Sequence, residues 1–346
     1  MRAVAFRQHG GPEVLEVVDL PPPVAGPGEV LIRVRAVALN HIDLWMRRGL
    51  PAMKIALPHV PGGDVCGDIA AVGPGVAGIE PGTRVVVNPG LSCGRCRDCL
   101  GGRDNLCAHF RMLGEHTFGG LAEFVAVPAA NIVPVPAGAA GLRDADLAAI
   151  PISFITAWTM LVDKARLRLG ETVLVLGAGS GVGVAAIQIA RLLGARVIAA
   201  ASTGRKADAA RALGADEAID YVKDELVGAV KGLTGRRGAD VVVEHTGAAT
   251  FPKSIAAAAR GGRIVTCGAT DGYEATVNLR HVFWRHLSIL GSTLGPKSCL
   301  FEIMDRVAGR QLRPIVDRTL PMADVAAGHR ALEAREAFGK IVITVG

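Results

Sequence analysis

Cys93, Cys96, Cys99 and Cys107 fall within fifteen residues, in the spacing C-x2-C-x2-C-x7-C. Four thiolates so arranged can close a tetrahedral zinc site, since zinc takes sulfur ligands at about 2.3 Å and is satisfied by four of them. With every ligand supplied by the protein, no position stays open for water or substrate. Such a metal fixes a loop and does no chemistry. Gly94, Gly101 and Gly102 let the chain turn tightly around an ion, and Arg95, Arg97 and Arg103 offset the thiolate charge. Paired disulfides are the alternative use of the same residues. The clustering of these four, against the scattered Cys66, Cys267 and Cys299, favours one structural zinc in a lobe at about 90–110.

A second group suits phosphate chemistry. Gly177, Ala178, Gly179, Ser180, Gly181, Val182 and Gly183 follow the apolar run TVLVLG and precede an apolar-periodic stretch through Val184, Ile187, Ile189, Leu192 and Leu193. Small residues at a strand-to-helix junction let the backbone approach a pyrophosphate and aim amides at it from a helix N-terminus. The next strand ends in Ser202-Thr203-Gly204-Arg205-Lys206, without the carboxylate that would accept the ribose hydroxyls of NAD. Its two hydroxyls and two cations suit a 2′-phosphate, so NADPH is favoured and NADH stays possible.

The elements that must hold these groups change character near residue 150. Before it, short β-branched runs at 29–39, 68–73, 83–88 and 122–127 are punctuated by Pro and Gly, the pattern of a β-rich, barrel-like unit. After it, runs at 172–177, 196–201, 240–247, 262–268 and 287–292 alternate with helical segments, which argues for a doubly wound parallel sheet. From about 294 the pattern turns irregular and closes on the strand-like KIVITV. A length of 346 residues fits two such domains. The net charge of +6 is spread without a block and aromatics are only 4% of residues, which speaks against nucleic acid. The most apolar stretch, 182–201, is interrupted by Gln188, Arg191 and Arg196, and the N-terminus has no apolar signal-peptide run. No membrane association is expected, and a cytoplasmic location is the default.

The stretches GPEVLEV, ALNHIDLWMRRG, PGGDVCGDIAAVGPGV, NPGLSCGRCRDCLGG, LPISFITAW and FGKIVITVG together resemble the medium-chain dehydrogenase/reductase superfamily, the group of zinc alcohol dehydrogenases and quinone reductases. The resemblance implies an α/β fold. A GroES-like barrel domain (1–151 and 294–346) would carry the lobe, a Rossmann domain (152–293) the dinucleotide, and the cleft between them the active site. It also implies a homodimer or homotetramer.

Against that family the chain departs where alcohol dehydrogenases hold a catalytic zinc. Asn40 stands at the first ligand position, Gly63 at the second and Ile152 at the third. Glycine and isoleucine offer no donor, and an amide is a poor zinc ligand. His41, His59, Asp64 and Cys66 lie near enough in sequence to rebuild a displaced site, which leaves a zinc alcohol dehydrogenase as one alternative and a non-catalytic NADPH-binding protein as another. The favoured activity is that of the zinc-independent branch, reduction of a quinone or conjugated carbonyl. Asn40 would donate a hydrogen bond near the nicotinamide and substrate, with Asp43 and Asp64 orienting it. The resemblance further implies cofactor contacts at His41, Thr156, Thr246, Gly247, Gly268, Ala269 and Lys340.

Overall fold

The computed structural model describes residues 1–50 and 54–346, which form two compact units, Met1–Ile152 with Pro296–Gly346 and Ser153–Gly295. In the first unit, strand β1 (Glu29–Ala38) runs into helix α1 (His41–Arg48) and then strands β2 (Asp64–Val72), β3 (Arg84–Val87), β4 (Phe124–Pro128) and β5 (Ile132–Pro134). Buried residues alternate with half-buried or exposed ones along much of β1 and β4, as they must in strands with one face on a core. That core includes Val30, Ile32, Val34, Val65, Val85, Val125 and Ile343. Helix α2 (Pro151–Trp158) leads into the second unit.

The second unit alternates β6 (Thr172–Val175), α3 (Gly181–Leu192), β7 (Arg196–Ala201), α4 (Gly204–Leu213), β8 (Glu217–Asp220), α5 (Leu226–Leu233), β9 (Ala239–Glu244), α6 (Phe251–Ala257), β10 (Ala258–Thr266), α7 (Leu279–Trp284) and β11 (Ser288–Gly291). The strands pair in the order β8-β7-β6-β9-β10-β11, every neighbouring pair parallel. Counted within the unit this is 3-2-1-4-5-6, the dinucleotide-binding order, whose ligands lie beyond the carboxyl ends of the strands. Strands β6, β7 and β9 are buried almost throughout, which explains their continuous Val, Ile and Ala runs.

The chain then returns to the first unit with α8 (Ser298–Ala308), β12 (Val316–Pro321), α9 (Val325–Glu333) and β13 (Lys340–Thr344). The irregular chain expected from about 294 is therefore largely regular. In α8 the buried Leu300, Ile303, Met304 and Val307 recur at three- and four-residue steps, the signature of a helix with one face packed. Strand β13 sits beside β1, giving the order β12-β13-β1-β2-β3-β5, with β4 also paired to β1. Its register puts Val342 opposite Ala38, while Ala38 on its other side faces Asp64. The end of β1 is thus flanked by the start of β13 and the start of β2.

Candidate active site and zinc lobe

That register assembles a polar cluster in the first unit. Lys340, two residues before Val342, reaches the residue just beyond β1. Its Nζ donates to Asn40 Oδ1 at 2.5 Å and to Asp64 Oδ2 at 2.9 Å. Lys340 is 5% exposed and Asp64 fully buried, so this is an ion pair held away from water. Asp64 also accepts from Ile152 N at 2.7 Å and from Asn40 Nδ2 at 2.9 Å. Asp43 caps helix α1, accepting from Asn40 N at 2.7 Å, and ties down Gly62 N at 3.0 Å.

The donor expected of Asn40 is already committed. Its two amide hydrogens go to Asp64 and to Ala38 O at 3.2 Å, and its oxygen takes the ammonium of Lys340. Lys340, expected beside the cofactor, anchors this cluster; two of its three N–H groups are used, leaving one. Asp43 and Asp64 hold backbone and side chains in place.

At the second vacated ligand position, a Cβ on Gly63 would lie 3.0 Å from Leu113 O and 3.1 Å from Ile152 Cδ1. The space is closed by packing, with the third vacated position forming part of the wall. His59 is buried, with Nε2 at 3.0 Å from Gly114 O and its ring edge-on to Phe6 and Phe118. Cys66 lies against Asp144, 3.7 Å from its Oδ1, and burial drives its thiol upward. His41 opens α1 and has its ring 6.5 Å from that of Trp45.

Sequence reasoning missed Glu115. It follows Gly114, whose added Cβ would lie 2.7 Å from Gly62 N, and it is 9% exposed. Burial, reinforced by the negative charge of Asp43, holds its carboxyl at about 7. Burial likewise raises Asp43 to about 6, against the pull of the Asn40 and Gly62 amides and of Lys340. Two carboxyl groups of this unit therefore titrate near neutrality.

In the lobe, the sulfur ligand atoms of Cys93, Cys96, Cys99 and Cys107 all lie within 4.8 Å of one another. The Cys96–Cys99 and Cys93–Cys99 separations are 3.5 and 3.9 Å. A tetrahedral zinc with sulfur at 2.3 Å sets its ligands ~3.8 Å apart, so the donor set fits zinc. Backbone amides of Arg95 and Cys96 hold the Cys93 thiol down at about 6, favouring the thiolate a metal requires. Amides of Cys93 and His109 point at Cys107 Sγ, at 3.5 and 3.4 Å. Arg103 is paired with Asp98 at 2.9 Å, which tempers its expected part in neutralising the thiolates. Lys297 fastens the lobe to the returning chain, donating to Asp104 Oδ2 at 2.9 Å and Ser92 Oγ at 2.6 Å. Among the described residues, these four cysteines are the one group of three or more His, Cys, Asp or Glu able to hold a metal ion.

In the second unit the glycine loop closes between β6 and α3. Ser180 caps α3, its Oγ accepting from Gly183 N at 2.9 Å. Gly177 has φ +54°, and a Cβ there would lie 2.6 Å from His245 Cε1; one on Gly183 would lie 2.4 Å from Gly177 O. Both positions need glycine for close approach, the reason such residues suit a pyrophosphate turn. Gly179 is buried, and Gly181 and Val182 are half-buried at the helix start.

His245, another residue sequence reasoning passed over, covers this loop with Nε2 at 3.3 Å from Ser180 Oγ, and burial lowers its pKa. Beside it the fully buried Glu244 accepts from Thr246 N at 2.7 Å, Gly247 N at 3.1 Å, Thr250 Oγ1 at 2.9 Å and Ser254 Oγ at 2.5 Å. It shapes the turn beyond β9 to which Thr246 and Gly247 belong. Asp271 N joins that turn to the Gly268–Ala269 loop beyond β10 through Thr246 O at 2.9 Å. Thr156 is buried in α2.

At the next strand end, Ser202 is half-buried, Thr203 caps α4 and Arg205 is exposed, whereas Lys206 is 6% exposed. A carboxylate does stand at this turn, supplied by the neighbouring strand. Asp220 pairs with Ala201, and its Oδ2 is 3.9 Å from where a Cβ on Gly204 would be.

Comparison with known proteins agrees with this architecture. The alcohol dehydrogenase GroES-like domain family matches residues 26–137, and the zinc-binding dehydrogenase family matches 181–309. Human quinone oxidoreductase is 30% identical over 99% of this chain and 97% of its own. The acryloyl-coenzyme A reductase of Metallosphaera sedula is 32% identical over 99% and 100%. Among solved structures, one described as an NAD-dependent alcohol dehydrogenase is 54% identical with a TM-score of 0.96, covering 100% of both chains. A cobalt- and zinc-bound thermostable alcohol dehydrogenase from Pyrobaculum aerophilum is 34% identical with a TM-score of 0.90, over 100% of this chain and 99% of that one. The chain belongs to the medium-chain dehydrogenase/reductase superfamily and is an oxidoreductase of that family. Among the described residues, no helix is long and apolar enough to cross a membrane.

Proposed function

We propose that this protein is an NADPH-dependent reductase of quinones or conjugated carbonyls that works without a catalytic zinc. One observation carries the reading: the first-ligand position is occupied by an asparagine hydrogen-bonded to a buried, paired lysine. When bound, the reduced dinucleotide supplies a hydride to the electron-poor β-carbon of the acceptor. The third N–H of Lys340 faces the negative charge that develops on the carbonyl oxygen, a role a fixed ammonium in a dry site performs well. Asp64 and Asn40 hold that ammonium in place. A proton then goes to the α-carbon of a conjugated carbonyl, or to oxygen in a quinone, and Glu115, close to half protonated at neutral pH, or solvent supplies it. The dinucleotide is held by the Gly177–Gly183 loop, with Arg205 against a 2′-phosphate. Zinc in the lobe is structural.

We read residues 1–151 with 294–346 as the barrel domain and 152–293 as the nucleotide fold, a division supported by the compact units Met1–Ile152 with Pro296–Gly346 and Ser153–Gly295. A homo-oligomer and a cytoplasmic location complete the reading. The test is stopped-flow oxidation of NADPH with a para-quinone and an α,β-unsaturated ketone. Turnover of either supports the reading; oxidation of simple alcohols with neither acceptor reduced refutes it.

A second reading concerns the cofactor. Asp220 at the ribose turn repels a 2′-phosphate and suits NADH, and a structure 54% identical is described as NAD-dependent.

A further inference from the structure

The glycine loop and the turns after β9 and β10 lie at the carboxyl ends of the parallel strands. At the opposite, amino-terminal ends of β9, β10 and β11 is a cavity of about 440 Å³. Lys231, Arg236, Arg260, His281, Trp284 and Arg285 line it, with Arg237 and Ala256, and no carboxylate faces it. Strand β9 alone spans six residues, which places the cavity roughly 20 Å from the dinucleotide loop and rules out a shared ligand.

Two of its cations have local duties. Arg237 pairs with Asp240, and Arg285 donates to Ile255 O at 2.9 Å and to Ala258 O. The side chains of Lys231, Arg236 and Arg260 make no hydrogen bond or ion pair among the described residues. Arg260 lies 6.0 Å from the ring centroid of Trp284, whose indole is 67% exposed. Burial and then the charge of Arg260 depress the pKa of Arg285, so the cations strain against each other with nothing negative between them. Arg237 and Lys231 complete the facing cations, with Asp240 and Glu171 acting on Arg237 and Glu225 on Lys231 from outside the lining.

We propose that this cavity is an anion site for a phosphate-bearing small molecule, distinct from the dinucleotide site. Guanidinium groups grip phosphate oxygens in pairs, and a neighbouring indole face stacks on a planar ring carried by the same ligand. The volume falls within the ordinary range for small-molecule pockets. Nothing in the proposed reduction uses these residues, so the site stands or falls independently of it.

The test is calorimetric titration of the full chain with inorganic pyrophosphate at fixed ionic strength, after saturation with the reduced dinucleotide so that the glycine loop is already filled. One saturable site is expected, weakened at least tenfold in an Arg236→Ser/Arg260→Ser double variant and by a smaller factor in Arg260→Ser alone. Dinucleotide affinity should be unchanged in both variants, which also establishes that they fold. Equal pyrophosphate affinity in the double variant, or heat that scales with salt and never saturates, overturns the proposal.

Discussion

The ammonium of Lys340 lies 2.9 Å from the carboxylate of Asp64, a residue 276 positions away, and the pair is buried. Removing one partner of such a pair leaves an uncompensated charge in a dry site, which costs about 3–5 kcal/mol. Lys340→Met should therefore lose that much stability in urea unfolding, and adding Asp64→Asn should recover part of it. In the same variant the rate of hydride transfer should fall about 100- to 1,000-fold, the usual effect of removing a donor to a developing oxyanion. Dinucleotide affinity should hardly change. A loss of affinity with an intact hydride-transfer rate would return Lys340 to the role of cofactor ligand.

Glu115 has a pH signature. Its folded pKa, about 7, lies above the ordinary glutamate value of 4.5. Between those values the folded protein binds more protons than the unfolded chain, so this group's contribution to stability falls as pH rises through the window. Glu115→Gln should match the wild type near pH 4 and become progressively more stable than it up to about pH 7, with a constant gap above. Thermal unfolding across that range measures it. The variant should also lose the descending limb near pH 7 in the rate of conjugated-ketone reduction if Glu115 gives the proton.

Gly183 meets backbone at 2.4 Å on the side where a methyl group would go. Gly183→Ala must push α3 off β6, and dinucleotide affinity should drop at least tenfold in a fluorescence titration. Affinity for a quinone bound at the Lys340 cluster should be little changed.

In the proposed reading, Arg205 favours a 2′-phosphate at the turn that Asp220 approaches, and Asp220 opposes it. Arg205→Ala should reduce the ratio of kcat/KM for NADPH over NADH about tenfold, and Asp220→Asn should raise it. If neither ratio moves, cofactor choice lies elsewhere in the fold.

How much of this was legible in the sequence depends on the range of the relationship. The four cysteines and the Gly177–Gly183 turn are local, so spacing alone reveals their geometry. The Lys340–Asn40–Asp64 cluster is set by the register of β13 and β2 on either side of β1, which no local pattern encodes. Asn40 is conspicuous by its type, but its hydrogen bonds could not be counted before its neighbours were known. Asp220 escapes for the same reason: the sequence shows no carboxylate at the end of β7, and only pairing with β8 brings one there. Helix α8 carries a readable period, obscured by its irregular flanks.

The central claim is that conjugated acceptors are reduced without a catalytic metal, beside a structural zinc. The most direct measurement is zinc per chain by elemental analysis, on protein purified without chelators, with NADPH-dependent reduction of a para-quinone assayed on the same sample. We predict one equivalent at full activity, with loss of zinc in Cys107→Ser accompanied by unfolding of the lobe. Two equivalents, with activity that tracks the second, would contradict the account.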